Sequence, residues 1–203
     1  MAVRSAPRKP IASGRPGPRP RWLTGWPRST LGGAWRQGGR STCIWEVRHG
    51  PHADLEIAVP RRTFPQIAAA LAGFEWDVAG DGRLWPFADV GDHPDLHQTW
   101  CRDPATGRYH LDVFREPHDG DLWVCRRDPS ITLPYDELIR VRDGIPYVIP
   151  EVALLFKAHR TADKDEDDFR RVAPRLADDA RTRLIGWVAR LYPDHPWLDQ
   201  LRV

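Results

Sequence analysis

The chain has 203 residues, enough for one domain or one domain with a tail, and a net charge of only +2. That charge is uneven: residues 1–50 hold ten Lys or Arg against the single acid Glu46, while the remainder, with 20 basic and 27 acidic residues, is mildly acidic. No apolar run approaches membrane-spanning length, no hydrophobic segment follows the basic N-terminus, and Cys43, Cys101 and Cys125 show no metal or redox spacing, which together point to a reducing cytoplasm and no membrane.

Residues 1–50 carry Pro7, Pro10, Pro16, Pro18, Pro20 and Pro27, half of all the glycines, and four scattered tryptophans (Trp22, Trp26, Trp35, Trp45). No helical or alternating period holds there, so the composition predicts a disordered tail. Order begins after His52. Leu55–Val59 reads as a buried strand. Thr63 is a candidate cap for a short helix with Pro65 in its first turn and Ile67, Ala70 and Leu71 as its stripe, stopped by Gly73. Phe74–Val78 reads as a strand ending in the hairpin turn Asp81-Gly82, and His97–Cys101 and Tyr109–Arg115 read as paired strands across Asp103-Pro104-Ala105-Thr106-Gly107. Leu122–Arg127 follows a turn at His118–Asp121, and Asp143-Gly144 folds Ile139–Val141 towards Tyr147–Ile149.

The last third is predicted helical. One helix starts at Pro150-Glu151 with Val152, Leu155, Phe156 and His159 on one face; a second carries Phe169, Val172 and Leu176; a third is capped by Asp178 or Asp179, buries Leu184, Val188 and Leu191, and ends before Pro193. The order predicts an α+β fold: a tail over 1–50, then a domain over 51–203 that is sheet-rich over 51–149 and helical over 150–203.

Three groups of residues carry candidate chemistry. Asp54 and Glu56 are two apart at the start of a strand, so they share a face and repel unless a cation lies between them; a hard divalent metal suits such oxygen donors. Asp112, in Leu111-Asp112-Val113-Phe114, is the candidate third acid for a Mg²⁺ site of phosphoryl or nucleotidyl transfer. The plain alternative is three solvated acids on a sheet. Lys157 and Lys164 are two of only three lysines in an Arg-rich chain, and a compact ammonium suits phosphate oxygens; the plain alternative, favoured by the pattern itself, is a helix surface laced by ion pairs. His93, His97 and Cys101 are four apart, but Pro94 interrupts them and no fourth ligand is evident.

Several segments together are more specific than any one of them: His52-Ala53-Asp54-Leu55-Glu56-Ile57-Ala58-Val59, Asp81-Gly82-Arg83-Leu84, Arg102-Asp103-Pro104-Ala105-Thr106-Gly107, Leu111-Asp112-Val113-Phe114-Arg115-Glu116-Pro117, Asp143-Gly144-Ile145-Pro146-Tyr147 and the block Pro150–Phe169. Over 52–201 the chain thereby resembles the nucleotidyltransferase-fold proteins related to aminoglycoside 2''-adenylyltransferase. The resemblance implies a DNA-polymerase-β-like core with a mixed sheet and C-terminal helices. It implies Asp54 and Glu56 as metal ligands, and Asp112 as the third ligand and catalytic carboxylate. It further implies Mg²⁺, a nucleoside triphosphate co-substrate such as ATP, and transfer of a nucleoside monophosphate to a hydroxyl of a small, aminoglycoside-like molecule. Lys157 or Lys164 would then meet the phosphates.

The departure from the family is upstream. Relatives enter this strand from a glycine-containing helix start, whose amides and close backbone approach suit a triphosphate; residues 31–50 contain nothing like it. Plausible GC-rich codons for Ala34–Gly50, read one base out of frame, allow a Gly-Trp followed by an Ile/Leu/Leu stretch that runs into His52-Ala53-Asp54. The expectation is therefore a frameshift near Gly50-Pro51 and a core without its phosphate-binding segment. The competing expectation is a native Arg/Trp tail that binds nucleic acid without catalysis, by phosphate contact and base stacking; with no folded scaffold for stacking, a nucleic-acid partner is the weaker reading.

Overall fold

The computed structural model describes residues 43–45, 55–80, 82–142, 145–159 and 162–203. The chain divides into two compact units, residues 1–118 and 119–203.

The first unit is built on a mixed sheet. Its strands are β1 (Cys43–Trp45), β2 (Leu55–Pro60), β3 (Glu75–Gly80), β4 (Arg83–Pro86), β5 (Gln98–Arg102) and β6 (Tyr109–Glu116), in spatial order β1-β2-β6-β5-β3-β4. β2 and β6 run parallel; the other neighbours are antiparallel. Within the expected tail, Cys43–Trp45 form β1 and pair with Glu56–Ala58 of β2. The rest of that tail lies outside the described residues.

Alternation sorts the central strands. Ile57, Val59, Leu111, Val113 and Cys101 point to one face and form a core with Phe64 and Leu71. Helix α1 (Phe64–Ala70) covers this face, and Phe64 meets Trp76 edge-on at 5.1 Å and Phe87 at 5.0 Å. Thr63 holds the N-cap position of α1, but its side chain makes no cap bond: it closes a 3₁₀ turn over Arg61–Thr63, and its hydroxyl donates to the Pro60 carbonyl at 2.8 Å. Gly82, at φ 71°, makes the left-handed turn of the β3–β4 hairpin where the dipeptide Asp81-Gly82 predicts it. A short helix, α2 (Phe87–Val90), was not expected; the stretch after it, which holds His93 and His97, is a loop. Arg115, fully buried, fastens that loop: it donates to Thr99 Oγ1 at 2.7 Å, to the Leu96 carbonyl at 2.6 Å and to Asp92, a carboxylate it shares with Arg61.

The second unit contains a pair of short antiparallel strands, β7 (Leu122–Val124) and β8 (Thr132–Pro134), then helix α3 (Tyr135–Leu138) and the hairpin β9 (Ile139–Arg142) with β10 (Ile145–Val148). Helices α4 (Pro150–Lys157), α5 (Asp163–Val172), α6 (Asp178–Leu191) and α7 (Trp197–Leu201) follow. α4 buries five consecutive residues, Glu151–Leu155, rather than one stripe. The Glu151 carboxylate is met by Arg183 of α6 at 2.7 Å. Arg127 donates to the carbonyls of Leu155 and Phe156, which lie in the last turn of α4 where intrahelical donors run out. α5 ends at Val172, short of Leu176, because Pro174 lies in the following 3₁₀ turn and offers no N–H to an α-helix. α6 ends before Pro193 as predicted and buries Leu184 and Val188 completely, but its N-cap is Ala177, Asp178 and Asp179 lie in its first turn without capping it, and Leu191 is only half-buried.

Asp128 and Arg190 tie the β7–β8 connection to α6. The Arg190 guanidinium, helped by the Ser130 hydroxyl and amide, pulls the Asp128 carboxyl down to about 2. A depressed carboxyl contributes its stabilisation above its unfolded pKa and loses it as pH falls through the folded value. The Asp128–Arg190 tie is therefore expected to hold at pH 5 and to loosen progressively from about pH 4 to about pH 2. Side-chain carboxyl NMR shifts check this: Arg190→Gln should move the Asp128 midpoint up towards the usual carboxylate range, and an unmoved midpoint would remove Arg190 as the cause.

Candidate active site

The register of the first unit sets its polar residues in one cross-strand row. Glu56 of β2 is opposite Asp112 of β6, Asp112 is opposite Trp100 of β5, and Trp100 is opposite Asp77 of β3. Neighbouring strands lie about 4.8 Å apart, so Glu56 and Asp112 stand side by side on the face opposite Ile57, Val59, Leu111 and Val113. Glu56 is exposed, whereas Asp112 is only 3 % exposed. A buried carboxylate is costly without hydrogen bonds, and Gln98 supplies one: its Nε2 donates to Asp112 Oδ2 at 3.1 Å. Asp54 lies outside the described residues, so the structure places two of the three expected acids.

Asp77, two strands from Asp112, has a different environment. Arg102 Nε donates to its Oδ2 at 2.7 Å and the Tyr109 hydroxyl donates to the same oxygen at 2.8 Å, while a second Arg102 nitrogen meets Glu75 at 2.7 Å. Burial, then the bond to Asp77, pushes the Tyr109 phenol up to about 12, so it stays a neutral donor. Tyr109 reaches this face through a bulge: the register shifts between Cys101 and Arg102, so that Arg102 pairs with Tyr109 rather than His110. The ring of Tyr109 then lies 5.1 Å from Trp100, edge-on. Neither Gln98 nor the Asp77–Arg102–Tyr109 cluster was expected from the sequence. The only prior signal for Gln98 was its place in a strand paired with the Asp112 strand.

Lys157 and Lys164 belong to the second unit. Lys157 ends α4, and its ammonium is clasped by Asp168 at 2.7 Å and Asp165 at 3.0 Å. Burial pulls its pKa down, but the bonds to Asp168 and Asp165 outweigh that and leave it raised. Lys164 is exposed on α5. His97 faces Arg61, with its Nδ1 3.1 Å from the guanidinium, and Cys101 is in the core, so the His93/His97/Cys101 series is not gathered on a metal. Among the described residues no group of three or more His, Cys, Asp or Glu side chains could hold a metal ion, and no helix is long and apolar enough to cross a membrane.

No protein-family model matches the chain, and no curated protein sequence matches it. Among solved structures it is similar to the lincosamide antibiotic adenylyltransferase LnuA with lincomycin bound, at 12 % identity and a TM-score of 0.45 over 70 % of this chain and 90 % of that one. A likeness of that size fixes no chemistry for this chain; the acids and their register have to carry it.

Proposed function

We propose that the chain is a Mg²⁺-dependent nucleotidyltransferase-like protein that moves a nucleoside monophosphate, from ATP or another nucleoside triphosphate, to a hydroxyl of a small molecule. The observation that carries this reading is Glu56 directly opposite Asp112 on one sheet face, in a chain whose sequence resembles that family. The donor chemistry fits: both are hard carboxylate oxygens, the type Mg²⁺ takes, and Asp54 would be the third. Mg²⁺ bound there would neutralise charge on the α-phosphate and on departing pyrophosphate.

Glu56, the exposed member, would hold the metal together with Asp54. Asp112, the buried member, would both bind metal and accept the proton of the acceptor hydroxyl. The hydroxyl oxygen then bonds to the α-phosphorus, the bond from that phosphorus to the bridging oxygen breaks, and pyrophosphate leaves. The phosphate role expected of Lys157 or Lys164 falls to residues of the second unit, where Lys157 is clasped by Asp165 and Asp168 and Lys164 is exposed.

Mg-ATP or Mg-GTP is expected to raise the melting temperature, since a ligand that binds only the folded state at about 100 times its Kd adds about 2.7 kcal/mol. Asp54→Asn is expected to abolish the Mg²⁺-dependent part. Differential scanning fluorimetry measures both, and no shift with any nucleoside triphosphate would mark the chain as an inactive shell that lacks its phosphate-binding segment.

A further inference from the structure

We infer that Gln98 is a positioning residue for Asp112: it fixes the carboxylate's rotamer so that its charge is presented to a metal. The inference rests on the metal-site reading above and adds a residue to it.

The geometry is that of a diagonal pair. In the antiparallel β5–β6 pair, Gln98 is opposite Phe114 and Asp112 is opposite Trp100. Gln98 and Asp112 are therefore diagonal neighbours on one face, about 7–8 Å apart at the backbone and within reach only of a long side chain. Gln98 spans the gap, and its Nε2 ends 3.1 Å from Asp112 Oδ2.

The backbone beneath Gln98 is held on every side. β5 is an interior strand, with Ala79 of β3 on one flank of Gln98 and Phe114 of β6 on the other. The adjoining residues are also fastened: the Arg115 amide donates to the His97 carbonyl at 2.8 Å, and the Arg115 guanidinium donates to Thr99 Oγ1 on the reverse face. Gln98 thus meets Asp112 from a fixed backbone position, and the bond between them limits the rotation of the carboxylate about its own side-chain torsions.

The chemical type of the donor matters as much as its place. Gln98 contributes a neutral N–H, which orients an oxygen without adding positive charge. Asp77, in the same row, is met by a guanidinium, and that contact cancels its charge. A carboxylate oriented by an amide keeps its attraction for a cation, and hydrogen bonds to ligating carboxylates are a known means of tuning metal affinity.

The test is Mn²⁺ binding to the full chain, with Mn²⁺ alone as the probe and the free-ion electron paramagnetic resonance signal as the readout. Gln98→Met preserves length and removes the donor, and it should weaken Mn²⁺ binding by about 10–100-fold. In an Asp112→Ala background the same change should alter the Kd by less than about twofold, because its effect runs through Asp112. Gln98→Asn keeps the amide but is one methylene too short for the diagonal, and it should weaken binding as Gln98→Met does; it replaces Gln98→Met if that variant fails to fold. A Gln98 variant that binds Mn²⁺ as the parent does, or one that loses as much without Asp112 as with it, overturns the inference. A parent chain that binds no Mn²⁺ overturns the metal-site reading itself, a result distinct from either.

Discussion

Asp112→Asn is expected, on the proposed function, to lower nucleotidyl transfer by about 10³-fold, within the range that a positioned acid or base contributes, equivalent to about 4 kcal/mol of transition-state stabilisation. The substitution keeps shape and keeps an oxygen that can accept from Gln98, but it removes both the charge and the proton acceptor. Stability should move little or rise, because Asp112 is 3 % exposed and a buried charge costs more to desolvate than an amide. The diagnostic result is the combination: a retained or higher melting temperature, transfer close to background by release of pyrophosphate, and loss in kcat as well as kcat/KM. An Asn variant that turns over within about tenfold of the parent would remove Asp112 from the chemistry. A variant that loses transfer only because it unfolds would show the carboxylate to be a structural requirement.

Trp197→Ala is expected to cost about 3–5 kcal/mol, the usual loss for deleting a buried Trp or Phe ring. Trp197 is fully buried in the second unit and stacks on Phe169 of α5 at 4.2 Å with rings 11° apart. Its indole Nε1 donates to Glu166 at 2.9 Å, and the His195 ring lies edge-on at 4.9 Å. The alanine variant leaves a cavity beside Phe169 and takes the donor from Glu166. Against a typical domain stability of about 5–15 kcal/mol, that is a large share of the whole. Trp197→Phe retains the stack and loses only the indole donor, so it should cost much less. Urea unfolding by circular dichroism separates the two; an alanine variant within about 1 kcal/mol of the parent would mean that α7 contributes little to the helical unit.

The contrast between these two residues shows where the sequence is readable. Asp112 could be singled out because it is an acid set between Leu111 and Val113, which share the core face. Trp197 could not, since α7 has five residues and a helix that short shows no period. Gln98 carries no charge and no motif; its importance comes from a diagonal contact between strands, which no linear spacing encodes. Arg115 is similar: a chain read in one dimension makes it a surface arginine, yet it is fully buried and bound to Asp92, 23 residues away. For Lys157 the plainer expectation of ion pairing describes what is seen, since Asp165 and Asp168 both hold it. Charge that is neutralised across a turn or a sheet leaves the same letters in the sequence as charge that waits for a ligand.

The parallel pairing of β2 with β6 has a kinetic consequence. Antiparallel neighbours such as β5 and β6 close through a short turn, but Glu56 meets Asp112 only after more than about 50 intervening residues have been gathered, and pairings of such high contact order form slowly. During synthesis β2 leaves the ribosome long before its partner, and its apolar face must wait, while the β3–β4 hairpin can already close. The acid pair should therefore be among the last features of the first unit to assemble. On the proposed metal-site reading, acquisition of Mn²⁺ affinity during refolding would lag behind the secondary structure, and would report completion of the sheet rather than its beginning.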